Sequence, residues 1–541
     1  MPDKRIEALV KRYNDLVDKN SGWISYYQDI SDFCLPRKGW QTTIRNDGDR
    51  LKLNTLFDAT AILSLQDMAA GFHSNLTNPS SQWFTYRVRN NDLMKIRAVE
   101  MWFKEVTERT YAVLNASNFD TTMQEFYVNA GGFGTGVILT LEDPSDKVRF
   151  MEILPKDIQI EEDSSGRVNR VYIKMPMTIQ QAYDRWGKNA GDIVTEKIDT
   201  KPNDKLDICL YIGPRDRRDA SKEDSVNMPY ESLWIELTKK HVCQEGGFFE
   251  FPVAVGRFYK HTGDTFGFSP AMNVLSFIKL VNAQQKTMLR AAMKVADPPL
   301  LLPSRGFIVP LNLNPAALNY RDQKTTAEDL TQIPGGGNIP ITLEVIQQVQ
   351  ERIEKGFFLP LFRALSDITK QMTVPEVQRR IAENMGLLGP VIGRFIDETL
   401  DVVLERVFMV LYRNGEYPDI PGVLLDNESD LSVTYTSPLA KAQRESEVFS
   451  LQSFLSDVGL IAQVKPDVLD NIDGDVVVET LAKVRSITPE ILRDKEEVKA
   501  MREQRAQQQD IMNRIAMAQQ GANAVKTGAE IDALSAKEEG K

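Results

Sequence analysis

The chain has 541 residues, of which 42% are hydrophobic and 26% are charged, and its formal net charge is −11. These proportions are ordinary for a soluble globular protein, and the length is sufficient for several hydrophobic cores. The acidic charge argues against a protein that grips DNA tightly, because contacts to phosphates dominate that kind of affinity. The three cysteines (Cys34, Cys209 and Cys243) are too few and too scattered to predict a disulfide scaffold or a zinc cluster.

The N-terminal region changes from helical to strand periodicity along the chain. Residues 1–120 predict mainly helices, beginning with an apolar face made of Ile6, Val10, Tyr13 and Leu16. Residues 136–177 alternate apolar and polar side chains between turn residues, which predicts strands. A short helix over 178–186 and a second strand-rich block follow. No apolar run approaches the roughly 18 residues that span a bilayer, and the N-terminus has no apolar signal core, so we expect a cytosolic origin.

Two predicted helices carry opposite charges on their faces. The helix predicted over residues 270–296 has no acidic residue, and its four basic residues fall on one side: Lys279, Lys286, Arg290 and Lys294. The helix predicted over residues 342–358 has an apolar stripe of Ile346, Val349, Ile353 and Phe357 and an acidic face of Glu344, Glu351 and Glu354. These faces suit a ring in which one subunit's basic stripe meets its neighbour's acidic stripe. A solvated helix face and a channel lining are the alternatives for the basic stripe.

A further helix is predicted to bend in its middle. The sequence from Thr373 to Glu376 matches a capping box at its start. Helix-breaking residues then cluster within the helical pattern at Gly386, Gly389, Pro390 and Gly393. Proline removes a backbone donor and clashes with the preceding turn, so we predict a kink at this cluster. Two separate helices joined by a tight turn are the alternative.

The order of these elements resembles the portal protein, or head-to-tail connector, of short-tailed bacteriophages. The segments YYQDISDFCLPRKGW and NAGGFGTGVILTLED resemble the wing of that family, and DPPLLLPSRGFIVPLNLNP and ALSDITKQM resemble its clip and tunnel loop. The resemblance covers roughly residues 12–489. It implies an α+β, mainly helical subunit that assembles as a ring. The implied regions are the wing (1–268), first stem helix (269–296), clip (297–340), second stem helix (341–363), tunnel loop (364–372), kinked helix with return to the wing (373–437), crown (438–489) and C-terminal helical extension (490–541).

The resemblance also implies partners and sites. It implies a homo-oligomeric ring of about twelve subunits at the portal vertex of the virion, assembled in the host cytoplasm. Its implied partners are the terminase large subunit, tail adaptor or nozzle proteins, capsid and scaffolding proteins, and non-specific double-stranded DNA in the channel. It implies no membrane, no cofactor and no enzymatic activity. Lys370 and Gln371 would face the DNA channel, and Leu301, Arg305, Phe307 and Ile308 would belong to the partner surface of the clip.

Two other functions remain open from the sequence. A different virion component, such as a tail tube or an internal head protein, is the first, and a packaging-associated nuclease is the second. The acidic residues Glu161, Glu162 and Asp163, and those in residues 426–430, would supply metal ligands for a nuclease, but solvated turns explain them better. The run from Gly131 to Gly136 follows a helix and precedes a strand, so it predicts a helix C-cap rather than a phosphate loop. The three histidines, His73, His241 and His261, match no metal-ligand spacing.

Overall fold

The fold was obtained as a computed structural model. It describes residues 4–38, 41, 55–90, 92–219, 221–222, 224–296, 300–301, 331–332, 339–366, 388–425, 431–435, 454–461, 474–484, 497–509 and 511–512. The chain forms two compact units, Met1–Gln443 and Arg444–Lys541. The first unit contains every described element discussed below except three helical segments. The predicted α+β, mainly helical fold class is confirmed.

Ten helices precede a long helix in the first unit's described residues. They are α1 (Lys4–Lys19), α2 (Ser21–Phe33), α3 (Thr60–Leu76), α4 (Arg97–Ala116), α5 (Phe119–Phe133), α6 (Ile179–Trp186), α7 (Asp192–Lys197), α8 (Pro270–Ala296), α9 (Ile339–Gly356) and α10 (Leu359–Ser366). The long helix covers residues 388–413. It is α-helical over 388–395, π-helical over Ile396–Leu400 and α-helical again over Asp401–Arg413.

Within the described residues, the strands form four antiparallel sheets. They are β1 (Phe84–Val88), β2 (Thr135–Asp143), β3 (Lys147–Ile153), β4 (Ile158–Glu162), β5 (Val168–Thr178), β6 (Lys205–Pro214), β7 (Tyr230–Glu236), β8 (His241–Phe248), β9 (Val253–Arg257), β10 (Leu300–Leu301), β11 (Thr331–Gln332) and β12 (Leu431–Tyr435). The strand orders are β4-β5-β6-β7-β8, β3-β2-β9, β1-β12 and β10-β11. The main core lies where α3, α4, α5, α8, α9 and the long helix bury their apolar faces together, and a second core joins the three- and five-stranded sheets.

The short helix predicted over 178–186 and the C-cap predicted in the run from Gly131 to Gly136 are both confirmed. In addition, Thr178 caps α6: its hydroxyl accepts from the backbone N–H of Gln181, whose side chain accepts from the N–H of Thr178. Gly134 ends α5 in a left-handed conformation, with φ at +85°, as a helix C-cap requires. A Cβ on Gly134 would lie 2.1 Å from the carbonyl oxygen of Gly267, so the site demands glycine sterically as well as conformationally.

Side chains from neighbouring elements cover several strand edges. The amide of Asn118 accepts from the N–H of Phe150 at 3.0 Å and donates to its C=O at 2.7 Å, as a paired strand would. On β1, the hydroxyl of Tyr111 accepts from the N–H of Phe84 at 2.7 Å. On β8, Arg215 donates to the carbonyl of Gly246 at 2.8 Å. These contacts satisfy backbone groups that an edge strand leaves open.

The described residues within 1–120 are mainly helical, as predicted, and they also contain β1, which pairs with β12. One prediction about an element needs correction. The single helix predicted over 341–363 is two helices, α9 and α10, separated at Phe357 and Phe358. Phe358 has φ at +60°, a backbone conformation that cannot continue an α-helix.

The second unit is described at three helical segments. These are residues 454–461, Gly474–Val484 and residues 497–509. Arg502 donates to both carboxylate oxygens of Asp475 at 2.6 Å. The division of this part into a crown (438–489) and a helical extension (490–541) stays a prediction.

Candidate functional site

The helices α8 and α9 pack side by side and antiparallel through the apolar stripe that the sequence predicts. Ile346, Val349, Ile353 and Phe357 are all buried, and so are Val274, Ile278 and Val281 on α8. The two backbones come close at Gly356, where a Cβ would lie 2.3 Å from Cγ1 of Val274. A larger residue at this position would push the pair apart, since interiors are close-packed.

Polar contacts fix this helix pair to the N-terminal part of the chain. Asn282 on α8 accepts from the N–H of Phe57 at 2.7 Å and donates to the C=O of Thr55 at 2.9 Å. Gln350 on α9 donates to Asp58 at 2.7 Å. Both helices are therefore tied to the segment that leads into α3.

The basic stripe of α8 divides into two parts. Lys279 lies 2.8 Å from Asp29 of α2, and the ammonium of Lys286 lies 5.4 Å from the ring centroid of Phe57. Arg290 and Lys294, nearer the C-terminal end, are exposed. Lys279 therefore has a carboxylate partner in its own chain, and its contact with a neighbouring subunit stays a prediction.

The acidic face of α9 divides in a similar way. Glu354 accepts two hydrogen bonds from Arg363 of α10, at 2.8 and 3.2 Å. Glu344 and Glu351 are exposed. The break at Phe358 turns α10 so that Arg363 reaches Glu354, and the contact of Glu354 with a neighbour stays a prediction. Arg290, Lys294, Glu344 and Glu351 remain candidates for contacts between subunits.

Large apolar side chains are exposed where α8 ends and α9 begins. Leu289 is 41% exposed, Met293 68% and Leu343 49%. Sequence reasoning assigned only charges to this surface. The exposed apolar area on both helices gives the surface the mixed character of a protein interface.

The long helix departs from α geometry at Ile396–Leu400, a π turn. Gly389, Pro390 and Gly393 lie in its α-helical part at 388–395, whereas Gly386 lies outside the described residues. The predicted kink at the glycine and proline cluster stays a prediction, and the π turn that follows Gly393 is an additional irregularity of the helix. Proline and glycine are a common cause of irregularity in helices, and an inserted residue is another.

The predicted channel and clip residues are largely outside the described part of the chain. Lys370 and Gln371 both lie there, as do Arg305, Phe307 and Ile308. Leu301 belongs to β10, where it pairs with Thr331 of β11 in an antiparallel register. Residues 364–366, predicted as the start of the tunnel loop, are the last turn of α10.

The strand β12 contacts the long helix through a half-buried acid. The hydroxyl of Tyr435 donates to Oδ1 of Asp401 at 2.5 Å. Burial raises the pKa of Asp401, and the hydrogen bond from Tyr435 offsets part of that rise. Since Tyr86 of β1 also donates to the carbonyl of Leu404, at 2.8 Å, the two-stranded sheet is tied to the long helix at two points.

The acidic residues considered as metal ligands bind cations of the chain instead. Glu161 pairs with Arg12, and Glu162 pairs with Arg257 and Lys260. Asp163 accepts from Ser165 within its own turn, which lowers the pKa of this acid. Within the described residues, no group of three or more His, Cys, Asp or Glu side chains could hold a metal ion. Residues 426–430 lie outside that part.

The three histidines sit in separate, structural surroundings. His73 lies 2.8 Å from Asp120. His241 Nε2 lies 2.9 Å from the carbonyl oxygen of Asn189, and the ring of His261 packs edge-on against Phe268 at 4.7 Å. No helix in the described ranges is both long enough and apolar enough to cross a membrane.

Comparisons with known proteins give one family match and two similar proteins over most of the chain. The family model described as bacteriophage head to tail connecting protein matches residues 7–492. The chain is 30% identical over 538 residues to the probable portal protein of Bordetella phage BPP-1, covering 96% of this chain and 95% of that protein. It is 28% identical over 539 residues to the portal protein of Salmonella phage epsilon15, covering 98% and 96%.

A solved chain from the virion of a native gene transfer agent particle aligns with 78% of this chain and 92% of its own length. Its TM-score is 0.35 at 10% identity, which is too low to support an argument about the fold. The family model, in contrast, spans most of the sequence, including the helix pair and the long helix. The chain belongs to the bacteriophage head-to-tail connecting family and is a portal protein.

Proposed function

We propose that the chain forms a closed ring at one vertex of a phage capsid, and that double-stranded DNA enters and leaves the head through it. The observation that carries this proposal is the family match across residues 7–492. A homododecamer is the expected assembly. Each subunit would use two different surfaces, because a ring closes through heterologous contacts.

The distal part of the α8–α9 pair is the proposed contact between subunits. It combines exposed apolar side chains, Leu289, Met293 and Leu343, with exposed charges of both signs, such as Arg290 and Glu351. Apolar area would supply most of the free energy of association, and the charges would set the register of the contact.

The acidic charge suits a channel that lets DNA slide. Twelve copies would carry −11 × 12, or about −132 formal charges, so the assembly as a whole would repel the duplex. One Lys370 per subunit would add a ring of positive charge at the narrowest part. Such a ring makes weak, salt-screened contacts with phosphates and reads no bases.

The partners follow from the same assembly. Residues 297–340 would dock the terminase large subunit during packaging and the tail adaptor or nozzle proteins afterwards. Capsid and scaffolding proteins would contact the ring during assembly in the host cytoplasm. The terminase would hydrolyse ATP, and the ring formed by this chain would be its docking site and the channel for DNA.

Native mass measurement and negative-stain imaging of the purified full chain test this proposal. Closed rings with a central hole are the expected result. Open tubes would favour a tail-tube protein. Monomers that cleave DNA in a metal-dependent manner would favour the packaging-associated nuclease.

A further inference from the structure

The buried stripe of the long helix changes phase at the π turn. Before the turn, Leu388, Val391 and Phe395 are buried at α-helical spacing. A continuous α-helix would bring residues 402, 406 and 409 to this side next, but Val402 and Met409 are only half-buried and residue 406 is an arginine. The apolar stripe resumes instead at Leu400, Val403 and Val407. The stripe is therefore displaced by about one residue, or about 100° of rotation. A π turn accommodates such an extra residue and lets both halves face the same core.

The π turn places Glu398 against the end of β9. Oε2 of Glu398 accepts from both the backbone N–H and Nε of Arg257, at 3.1 and 3.0 Å. Oε1 accepts from a terminal nitrogen of the same guanidinium at 2.6 Å. Arg257 is 1% exposed, so these charge-assisted hydrogen bonds lie in a largely dry environment.

The residues next to this ion pair also fit the π turn closely. A Cβ on Gly256 would lie 2.3 Å from Oγ1 of Thr399, which is fully buried in the turn. Arg394, just before the turn, donates to the carbonyl of Phe258 at 3.0 Å. The ring of Phe395 packs edge-on against Phe258, with centroids 5.7 Å apart. Gly256 and Arg257 at the end of β9, and Phe258 just after it, therefore contact residues 399, 398 and 394–395 of the long helix in turn.

The other side of Arg257 reaches the five-stranded sheet. A terminal nitrogen donates to Glu162 at the end of β4, and Lys260 donates to the same carboxylate at 2.5 Å. Arg257 also lies 3.4 Å from the carbonyl oxygen of Gly166, in the turn between β4 and β5. One buried guanidinium therefore joins the three-stranded sheet, the five-stranded sheet and the long helix.

We propose that the Arg257–Glu398 ion pair selects the π turn and so fixes the rotation of residues 388–395 against β9. Arg257 and Glu398 are positioning residues in this proposal. With the pair intact, the extra residue is held in the turn and Phe395 packs on Phe258. Without it, the helix relaxes towards continuous α geometry, residues 388–395 rotate by about 100°, and Phe395 leaves Phe258. The Arg257–Glu398 ion pair acts within one subunit and is independent of ring formation.

The substitution Glu398→Gln tests the role of the ion pair, because it removes the negative charge and keeps the shape of the side chain. We expect backbone amide exchange over residues 388–400 to rise at least about tenfold relative to 401–413, because the turn opens locally. A cryo-EM map should show Phe395 displaced from Phe258. Asp397→Asn is the matched control: it makes the same chemical change at the adjacent, exposed position and should leave exchange unchanged. A Glu398→Gln map that retains the π turn, with Phe395 on Phe258, would overturn the proposal.

A second variant covers the case in which Glu398→Gln does not fold. Deleting Asp397 in the Glu398→Gln background removes one residue, so a continuous α-helix keeps both buried stripes in phase. We expect this double variant to unfold at a higher temperature than Glu398→Gln alone, or to fold where the single variant does not. If the deletion gives no gain over the single variant, the ion pair does not select the π turn.

Discussion

Glu354 binds Arg363 of its own chain through both carboxylate oxygens, across the break between α9 and α10. The pair leaves Glu351, one turn earlier on α9, as the exposed acid that can meet a neighbouring subunit. A helical wheel gives these two glutamates the same face, and the structure gives them different roles.

Charge reversal at Arg290 should weaken ring assembly at low salt. Exposed ion pairs contribute roughly 0–1 kcal/mol each, but the contact repeats at every interface. We expect Arg290→Glu to lower the fraction of chains in rings by native mass measurement, and Glu351→Arg in the same chain to restore it. Glu354→Arg is the control. It should lower the melting temperature of the subunit, because the ion pair with Arg363 is lost, and adding Arg290→Glu should not restore that melting temperature. An unchanged ring yield for Arg290→Glu would contradict this pairing.

Lys370→Ala should leave ring assembly intact and change how DNA is packaged or retained. DNA carries one phosphate charge per roughly 1.7 Å of axis, so a ring of lysines always lies near a phosphate. The measurement is the amount of DNA per head in phage assembled with the variant, compared with Lys370→Arg, which keeps the charge. Equal DNA content for all three chains would count against a channel role for this residue.

Gly134→Ala should destabilise the fold far more than Gly415→Ala. Both glycines have positive φ, at +85° and +69°, so alanine incurs a backbone cost of roughly 1–2 kcal/mol at either position. Only at Gly134 would the new Cβ also meet a backbone carbonyl, at 2.1 Å, whereas nothing lies within 4 Å at Gly415. We expect Gly134→Ala to lower the free energy of unfolding, measured with denaturant, by more than about 3 kcal/mol. An equal decrease in the free energy of unfolding for both variants would show that the backbone at Gly267 moves away from the new Cβ at little cost.

Asp401→Asn should stabilise the protein at neutral pH and have no effect in acid. The pKa of Asp401 is raised by burial, so the folded state binds this proton more tightly than the unfolded state. The stabilisation of the folded state by protonated Asp401 is fully present below the ordinary pKa of 3.8 and is lost as the pH rises through the raised pKa. Asparagine stays neutral and still accepts from Tyr435.

Melting temperature as a function of pH measures this effect. The difference between Asp401→Asn and the unchanged chain should grow as pH rises above about 4 and then level off. Asp92→Asn gives the opposite sign, because Lys95 lowers the pKa of that exposed acid. A pH-independent difference for Asp401→Asn would mean that shape, rather than ionisation, decides its effect.

Local patterns in the sequence were sufficient for much of this fold. The stripe from Ile346 to Phe357, the short helix after Thr178 and the C-cap at Gly134 each depend on residues within a few positions of one another. The phase change between Phe395 and Leu400 was also readable from the sequence, had the apolar spacing been followed across the glycine and proline cluster.

Distant partners explain what the sequence did not reveal. The strand β1 pairs Phe84 with Tyr435, near the opposite end of the same unit, so nothing next to Phe84 predicts a sheet. Similarly, the role of Glu354 depends on the left-handed Phe358, a conformation that a bulky residue rarely adopts. The periodicity of the sequence predicts the face of a helix on which a side chain lies. Whether that side chain contacts a residue beyond a reversal of the chain depends on the tertiary fold.

The side chains that cover the strand edges have a consequence for how copies of the chain meet. A subunit that accumulates beside many identical subunits is prone to irreversible strand exchange if its edges are bare. With Asn118 on Phe150, Tyr111 on Phe84 and Arg215 on Gly246, those backbone sites are already occupied before any encounter. At these three edges, association is thereby directed to side-chain surfaces and not to pairing of backbones.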